Sequence, residues 1–253
     1  MNGLKKQAQA DTFAKVDIIY SANRAGQIVL SNELAALGVT RKAHITITVN
    51  PGVFIGKLNL DGAAANSRIK LIVLGNIIGD SGGGDALIVG YPVSIDNRGR
   101  IASGGGHGGN GGNGSHGYLA GDGTAGYACI FNQVQAGGAG GQGSGMRSSV
   151  FVEAAAGELG VMRADSGARG GNGGNGGGLG APGNPGLPGF VGNSWQGGTK
   201  LNADGTTTYY PTCGVFQGGI NALGGRGGNS GAAIRGIDKV TFVNRGNIIG
   251  PTV

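Results

Sequence analysis

Apolar residues in the first hundred positions fall into short runs rich in Val and Ile: VDIIY, QIVLSNEL, HITITV, VFIGKLNL, RIKLIVLGNIIG and ALIVGYPVSI. HITITV alternates strictly, which puts Ile45, Ile47 and Val49 on one face of a strand and His44 on the solvent side. Pro51, Gly56, Gly62, Gly75 and Gly90 interrupt the runs, the punctuation of strands and turns. SNELAALG predicts a short helix from Ser31 to Gly38, with Ser31 as N-cap and Gly38 as C-cap. Strand character returns at the end, in AAIRGIDKVTFVNRGNIIGPTV. LIVLGNIIGD, VSIDNRGRIASG and VTFVNRGNIIGP each join an apolar segment to a second, Ile-bearing one through an Asn/Gly turn. Asn97-Arg98-Gly99 and Asn244-Arg245-Gly246 share the turn, where glycine would supply a positive φ. The tail is therefore expected to fold back onto the N-terminal β region.

Between these parts the periodicity changes. GGGHGGNGGNG spaces His107, Asn110 and Asn113 three apart, and AGGAGGQGSG, RGGNGGNGGG and GGRGGN repeat the spacing. GAPGNPGLPG has glycine at every third place. Period three fits neither an α-helix nor a strand, but it does fit the polyproline-II conformation, with three residues per turn. Such a helix has no internal hydrogen bonds, so its backbone groups must bond water or neighbouring helices. Glycine allows neighbours to approach on several sides. Fixing each residue costs about 1–2 kcal/mol of backbone entropy, so only a cooperative bundle anchored at both ends is expected to hold.

Four zones follow: a polar arm or fibre connection over 1–16, a β platform or attachment region over 17–102, a polyglycine-II helix bundle over 103–231, and a C-terminal β segment over 232–253. The fold class expected is mainly β with little α-helix, the bundle inserted between N- and C-terminal β segments. Glycine supplies 60 of 253 residues, 44 of them in 103–231. Hydrophobic residues at 39% argue against disorder throughout the chain. The net charge of +6 raises RNA binding, but the glycine zone is neutral and only Arg169 and Arg226 begin an RGG. That is too little for an electrostatic RNA tail, so no nucleic-acid partner is expected. Collagen fails on length, since GAPGNPGLPG is a single short piece. The N-terminal MNGLKKQAQADTFAK lacks the apolar core of a signal peptide. The spacing of Cys129 and Cys213 leaves both a disulfide and two free thiols open.

Segments of different composition separate the runs: 116–135, 146–166 and 190–217. They hold nine of the fourteen aromatics. Antiparallel helices about eleven residues long would span roughly 34 Å and bring alternate connections out at the same end. Aromatic, Met and Arg side chains gathered there would form a binding tip. The candidate contact residues are Tyr118, Tyr127, Phe131, Met146, Arg147, Phe151, Met162, Arg163, Trp195, Lys200, Tyr209 and Tyr210. Arg147, Arg163 and Lys200 would steer the tip toward an acidic surface.

With these runs, loops and Asn-Arg-Gly segments, the chain resembles the receptor-recognising adhesins at the tail-fibre tips of tailed bacteriophages. The glycine runs and loops look like the T-even-type long-tail-fibre adhesins. ITVNPGVFIG, VSIDNRGRIASGGGHGGNGGNG and GAAIRGIDKVTFVNRGNIIG look more like the glycine-rich end of lambdoid host-specificity proteins. The resemblance implies a sandwich of polyglycine-II helices whose distal loops contact a porin-type outer-membrane protein, or lipopolysaccharide, on a Gram-negative host. It also implies a proximal part docked on a trimeric fibre protein, and a place at the tip of a virion's tail fibre. The Trp-rich attachment region of the T-even adhesins has no counterpart, because the sole tryptophan is Trp195.

No constellation suggests catalysis or a cofactor. His107 and His116 lie nine apart with Asp122 as the nearest acid, poor material for a metal site. Asp80 and Asp85 flank SGGG, a weak calcium turn. GGGHGGNGG lacks the Lys-Ser/Thr of a phosphate-binding loop. Glu153 and Glu158 share a segment but nothing else points to a glycosidase pair. A non-enzymatic adhesin is the expectation. The alternative from another class is a structural or ice-interacting glycine-helix protein.

Overall fold

The structure, a computed structural model, describes residues 13–120, 128–148, 150–162, 169–190, 199–201, 205–209 and 223–253. Short strands recur in a fixed order. β1 (Ala14–Tyr20) and β2 (Ile28–Val29) lead into α1 (Leu30–Ala36). β3 (Ala43–Val49), β4 (Phe54–Ile55) and β5 (Leu58–Asn59) make the next turn of chain. β6 (Arg68–Val73), β7 (Asn76–Ile78) and β8 (Leu87–Ile88) make another, followed by β9 (Val93–Asn97) and β10 (Arg100–Ala102).

All these strands pair in parallel with their counterparts one turn earlier, and the C-terminal strands β17 (Ile234–Arg235), β18 (Val240–Asn244) and β19 (Asn247–Ile249) complete the same three sheets. The sheets run β1-β3-β6-β9-β18, β4-β7-β10-β19 and β2-β5-β8-β17. The platform is thus a three-sided parallel β-helix, in which each inner coil contributes one strand to each face and the first coil reaches the second sheet only through the bridge of Arg24 with Ile55. The β-type runs are not hairpins but successive sides of a coil.

Alternation explains the core. In the first sheet, Ile18, Ile47, Leu71, Ile95 and Phe242 stack in one inward row. Ile55, Ile77, Ile101 and Ile248 stack in the second sheet. Ile28, Leu58, Leu87 and Ile234 do so in the third. Ile47, Leu71, Ile95, Ile55, Ile77, Ile101, Leu58 and Leu87 are wholly buried, each worth about 1.5–3 kcal/mol. The third row of the first sheet runs Tyr20, Val49, Val73 and then Asn97. Asn97 Nδ2 donates to the carbonyls of Arg245 and Asn247 at 2.8 and 3.2 Å, tying the last coil to the one before.

Three details differ from the sequence reading. β1 begins at Ala14, inside the span assigned to an arm. α1 starts at Leu30, with Val29 at its N-cap and no side-chain cap, because Leu30 and Leu34 dock into the core; Gly38 does take a left-handed φ of 68°. The Asn-Arg-Gly segments turn corners between sheets. Gly246 has a positive φ of 53°, but Gly99 is required for another reason: a β-carbon there would collide with the Gly75 carbonyl at the corner of the preceding coil.

The glycine zone leaves at β10 and re-enters at β17, interrupting one coil between its second and third strands. Among the described residues it contains six extended runs, 103–113, 136–143, 153–161, 170–178, 181–189 and 223–231, without helix or strand pairing. They bond to one another in steps of three. The N–H groups of Gly138, Gly141 and Ser144 donate to the carbonyls of Gly171, Gly174 and Gly177. Those of Gly171, Gly174 and Gly177 donate to Gly112, Gly109 and Gly106. Those of Gly106, Gly109 and Gly112 donate to Ala181, Asn184 and Leu187. The first run lies at the centre, bonded to the second, fourth, fifth and sixth.

A second ladder uses side chains. Asn113 Oδ1, Asn110 Oδ1 and His107 Nδ1 accept from the N–H groups of Gly137, Gly140 and Gly143 at 3.0–3.1 Å. Asn175 and Asn172 do the same for Gly157 and Gly160 at 3.1 and 3.2 Å. The three-residue spacing of His and Asn is thus the spacing of the donors that they satisfy.

Candidate functional site

The ladders fix which end of each run lies far from the platform. Gly105 bonds Ser144 and Gly106 bonds Ala181 beside the β-helix, while Gly111 bonds Gly138 and Gly112 bonds Leu187 at the opposite end. Runs of about ten residues at 3.1 Å per residue separate the two ends by about 30 Å. The far end therefore receives the segments after Asn113, after Val161 and after Gly189. At the near end lie the hairpin of β13 (Gly145–Arg147) with β14 (Val150–Val152) and the turn at Gly180.

This division separates the candidate contact residues. Met162 stands at the far end and is 64% exposed. Tyr118 and Phe131 lie on the antiparallel strands β11 (Gly114–Ala120) and β12 (Ala128–Gln135), which continue from the far ends of the first two runs. Lys200 and Tyr209 lie on β15 (Thr199–Leu201) and β16 (Thr207–Tyr209), which pair with each other between the fifth and sixth runs. Tyr127, Arg163, Trp195 and Tyr210 fall outside the described residues, as does the Cys213 half of the cysteine question.

Met146, Arg147 and Phe151 sit at the near end, against expectation. Met146 forms a bridge with Asp80 of the platform and is 2% exposed. The Phe151 ring stacks on Phe54, with centroids 5.8 Å apart, and the Arg100 guanidinium lies over both rings. Arg147 donates to Gln142 Oε1 at 3.0 Å. These residues clamp the bundle to the β-helix, because two runs precede their segment and two runs bring the chain back to the end where it started.

Sequence reasoning missed several far-end residues. Leu159, Val161, Leu187, Phe190 and Leu223 are all substantially exposed, Leu223 the most at 86%. Together with Met162 they are the exposed large apolar side chains of the described bundle, apart from Val150 in the near hairpin. The signal was available, since leucine at a non-glycine place of a period-three run has little core to enter. Arg169 closes this end: it exchanges backbone hydrogen bonds with Phe190 at 2.7 and 3.3 Å, bridges Met162, and lays its guanidinium 5.2 Å from the Phe190 ring.

Two of the groups considered for metals have other occupations. Asp85 accepts from Arg235 at 3.0 and 3.1 Å and from the Ala232 N–H at 2.8 Å. His107 is committed to Gly143. Among the described residues no group of three His, Cys, Asp or Glu side chains converges.

A β-helix that holds a glycine-run bundle to one side, and exposes apolar side chains at the bundle's far end, defines a display scaffold. Residues 15–253 match the family described as phage tail fibre adhesin Gp38, and the chain belongs to that family. It is accordingly a tail-fibre protein of a virion. Among solved structures, it is similar to the crystal structure of the gp37-gp38 adhesin tip complex of the bacteriophage S16 long tail fiber. Identity is 19% and the TM-score 0.49, with 94% of this chain and 82% of that chain covered. No curated protein matches the chain.

Proposed function

We propose that the chain is a non-catalytic adhesin whose bundle tip binds a porin-type outer-membrane protein while the β-helix joins a trimeric tail-fibre protein. One observation carries the reading of the tip: the exposed large apolar side chains of the bundle gather at the end remote from the platform. Leu159, Met162, Leu187, Phe190 and Leu223 form the described part of that surface. In this reading the six runs form a polyglycine-II sandwich, a stiff spacer whose loops vary without disturbing the ladder. Exposed apolar side chains gathered at one end suit a protein receptor.

The experiment is binding of the labelled chain to Gram-negative cells with matched strains lacking single porins. Loss with one porin supports the reading and names the receptor. Affinity that is unchanged by every porin deletion but falls in lipopolysaccharide mutants overturns the porin and moves recognition to glycan.

A further inference from the structure

The outer face of the first sheet is unlike the rest of the platform. Alternation points Lys15, His44 and Arg68 outward, and the parallel register makes them direct neighbours on three adjacent strands: Lys15 opposite His44, His44 opposite Arg68. Lys70 stands two places further along β6, and Arg41 and Lys42 lie just before β3. Lys15, Arg41, Arg68 and Lys70 are exposed. The Phe13 ring rests 4.6 Å from the His44 ring, with Lys42 Nζ at 5.1 Å and the Arg68 guanidinium at 5.8 Å from its centroid.

Carboxylates on this face are few. Among the described residues they are Asp17 on β1 and Asp96 on β9, and Asp96 is held by Arg98 at 2.9 and 3.1 Å. Lys15, Arg41, Lys42, Arg68 and Lys70 thus gather five cations on one side of the platform. Strands are about 4.8 Å apart and alternate residues along a strand about 6.6 Å. Lys15 and Arg68, two strands apart, therefore stand about 10 Å from each other, and Arg68 and Lys70 about 7 Å, a spacing suited to a chain of phosphates or carboxylates.

We propose that this face binds a phosphorylated or acidic glycan of the bacterial surface. Charge complementarity selects a polyanion, and height selects a glycan. If the bundle tip touches a protein in the outer membrane, as proposed above, the platform stands about 30 Å farther out, within the layer of surface polysaccharide. The face would hold the particle near the cell while the tip searches for its receptor, a role for weak, long-range, salt-screened attraction.

The test measures binding of the full chain to lipopolysaccharide from a phosphate-retaining strain and to the same material dephosphorylated, at two salt concentrations. The variants are Lys15→Glu/Arg68→Glu and Lys70→Glu, and cell binding is read separately on a strain carrying the receptor. The expected result is saturable binding that weakens at least tenfold on dephosphorylation, in the double variant and at high salt. Melting temperatures of the variants should stay close to the parent's, since the three side chains are exposed. Binding unaffected by charge reversal overturns the proposal, and so does binding to inorganic polyphosphate with none to lipopolysaccharide. Failure of the porin reading leaves a different mark, because it removes receptor-dependent cell binding while lipopolysaccharide binding by this face persists.

Discussion

His107 Nδ1 accepts a hydrogen bond from the Gly143 N–H at 3.1 Å, and Gly143 is buried between two glycine runs. The imidazole thus takes the same place in its run as the Asn110 and Asn113 amides, each acting as a substitute carbonyl. Replacing His107 by Ala leaves a buried donor unpaired, at about 1–3 kcal/mol. His107→Asn should keep the acceptor and most of the stability. Chemical denaturation of the two variants compares these outcomes; equal losses would mean that the side-chain ladder contributes nothing.

Glycine is needed in the runs for contact rather than for flexibility, and two positions separate the effects. A β-carbon at Gly108 would meet the Gly174 carbonyl oxygen, whereas at Gly178 it would meet nothing within 4 Å. Gly108→Ala should lower stability by about 1–3 kcal/mol or more through overpacking. Gly178→Ala should be neutral or slightly stabilising, because it restricts the unfolded chain. Melting temperatures decide, with about 2–4 °C expected per kcal/mol in a chain of this size.

Asn97→Ala removes the two donations to Arg245 and Asn247 from a wholly buried site. A loss of about 1–3 kcal/mol is expected, concentrated in the final coil. Hydrogen exchange should show faster opening of Asn247–Ile249 while β3 and β6 stay protected. Uniform acceleration across the platform would show instead that the coils open as one unit.

The link between Asp85 and Arg235 gives an acid-sensitive clasp where the bundle re-enters the β-helix. Burial works against the Asp85 charge, but the hydrogen bonds from Arg235 and from the Ala232 N–H outweigh it and hold the carboxyl below its ordinary value. A folded-state value below the unfolded one means that the stabilisation is present above the unfolded value, about 3.9, and disappears as pH falls through the lower folded value. Asp85→Asn should therefore be less stable than the parent at neutral pH, with the difference closing below about pH 4. Melting curves from pH 2 to 7 would show it; a difference that stays constant over that range would contradict it.

At the tip, Leu159→Ser and Leu223→Ser replace exposed side chains, so stability should change by less than about 0.5 kcal/mol. Cell binding is expected to weaken at least tenfold for one of them if the far end is the contact surface. Phe151→Ala provides the control: it should loosen the near hairpin without affecting recognition. Cell binding and melting temperature, measured on the same samples, separate the two roles.

Much of this architecture was legible because each part follows one local period. Ile45, Ile47 and Val49 alternate as a half-buried strand must, and His107, Asn110 and Asn113 show the period of three. The coil itself was harder to read. Ile45, Ile69 and Val93 stand in one register column at intervals of 24 residues, a repeat that would have announced parallel sheets. It was hidden because α1 lengthens the first coil, the bundle splits the fourth, and β4, β5 and β8 are only two residues long. The near-end placement of Met146 and Phe151 was missed because their composition matches that of the tip segments. Only the direction of the runs tells them apart, and that direction is a property of the pairing, not of any one segment.

The ladder of the first run, bonded to four neighbours at every third residue, sets a rule for how such a molecule can change. A deletion of one residue within a run would place side chains where carbonyls and glycines must meet, in four interfaces together. The runs can therefore be altered in length only by whole turns, and in concert. The connections between the runs lie outside the ladder and carry no such restriction, so sequence can drift there one residue at a time while the shaft beneath keeps its gauge.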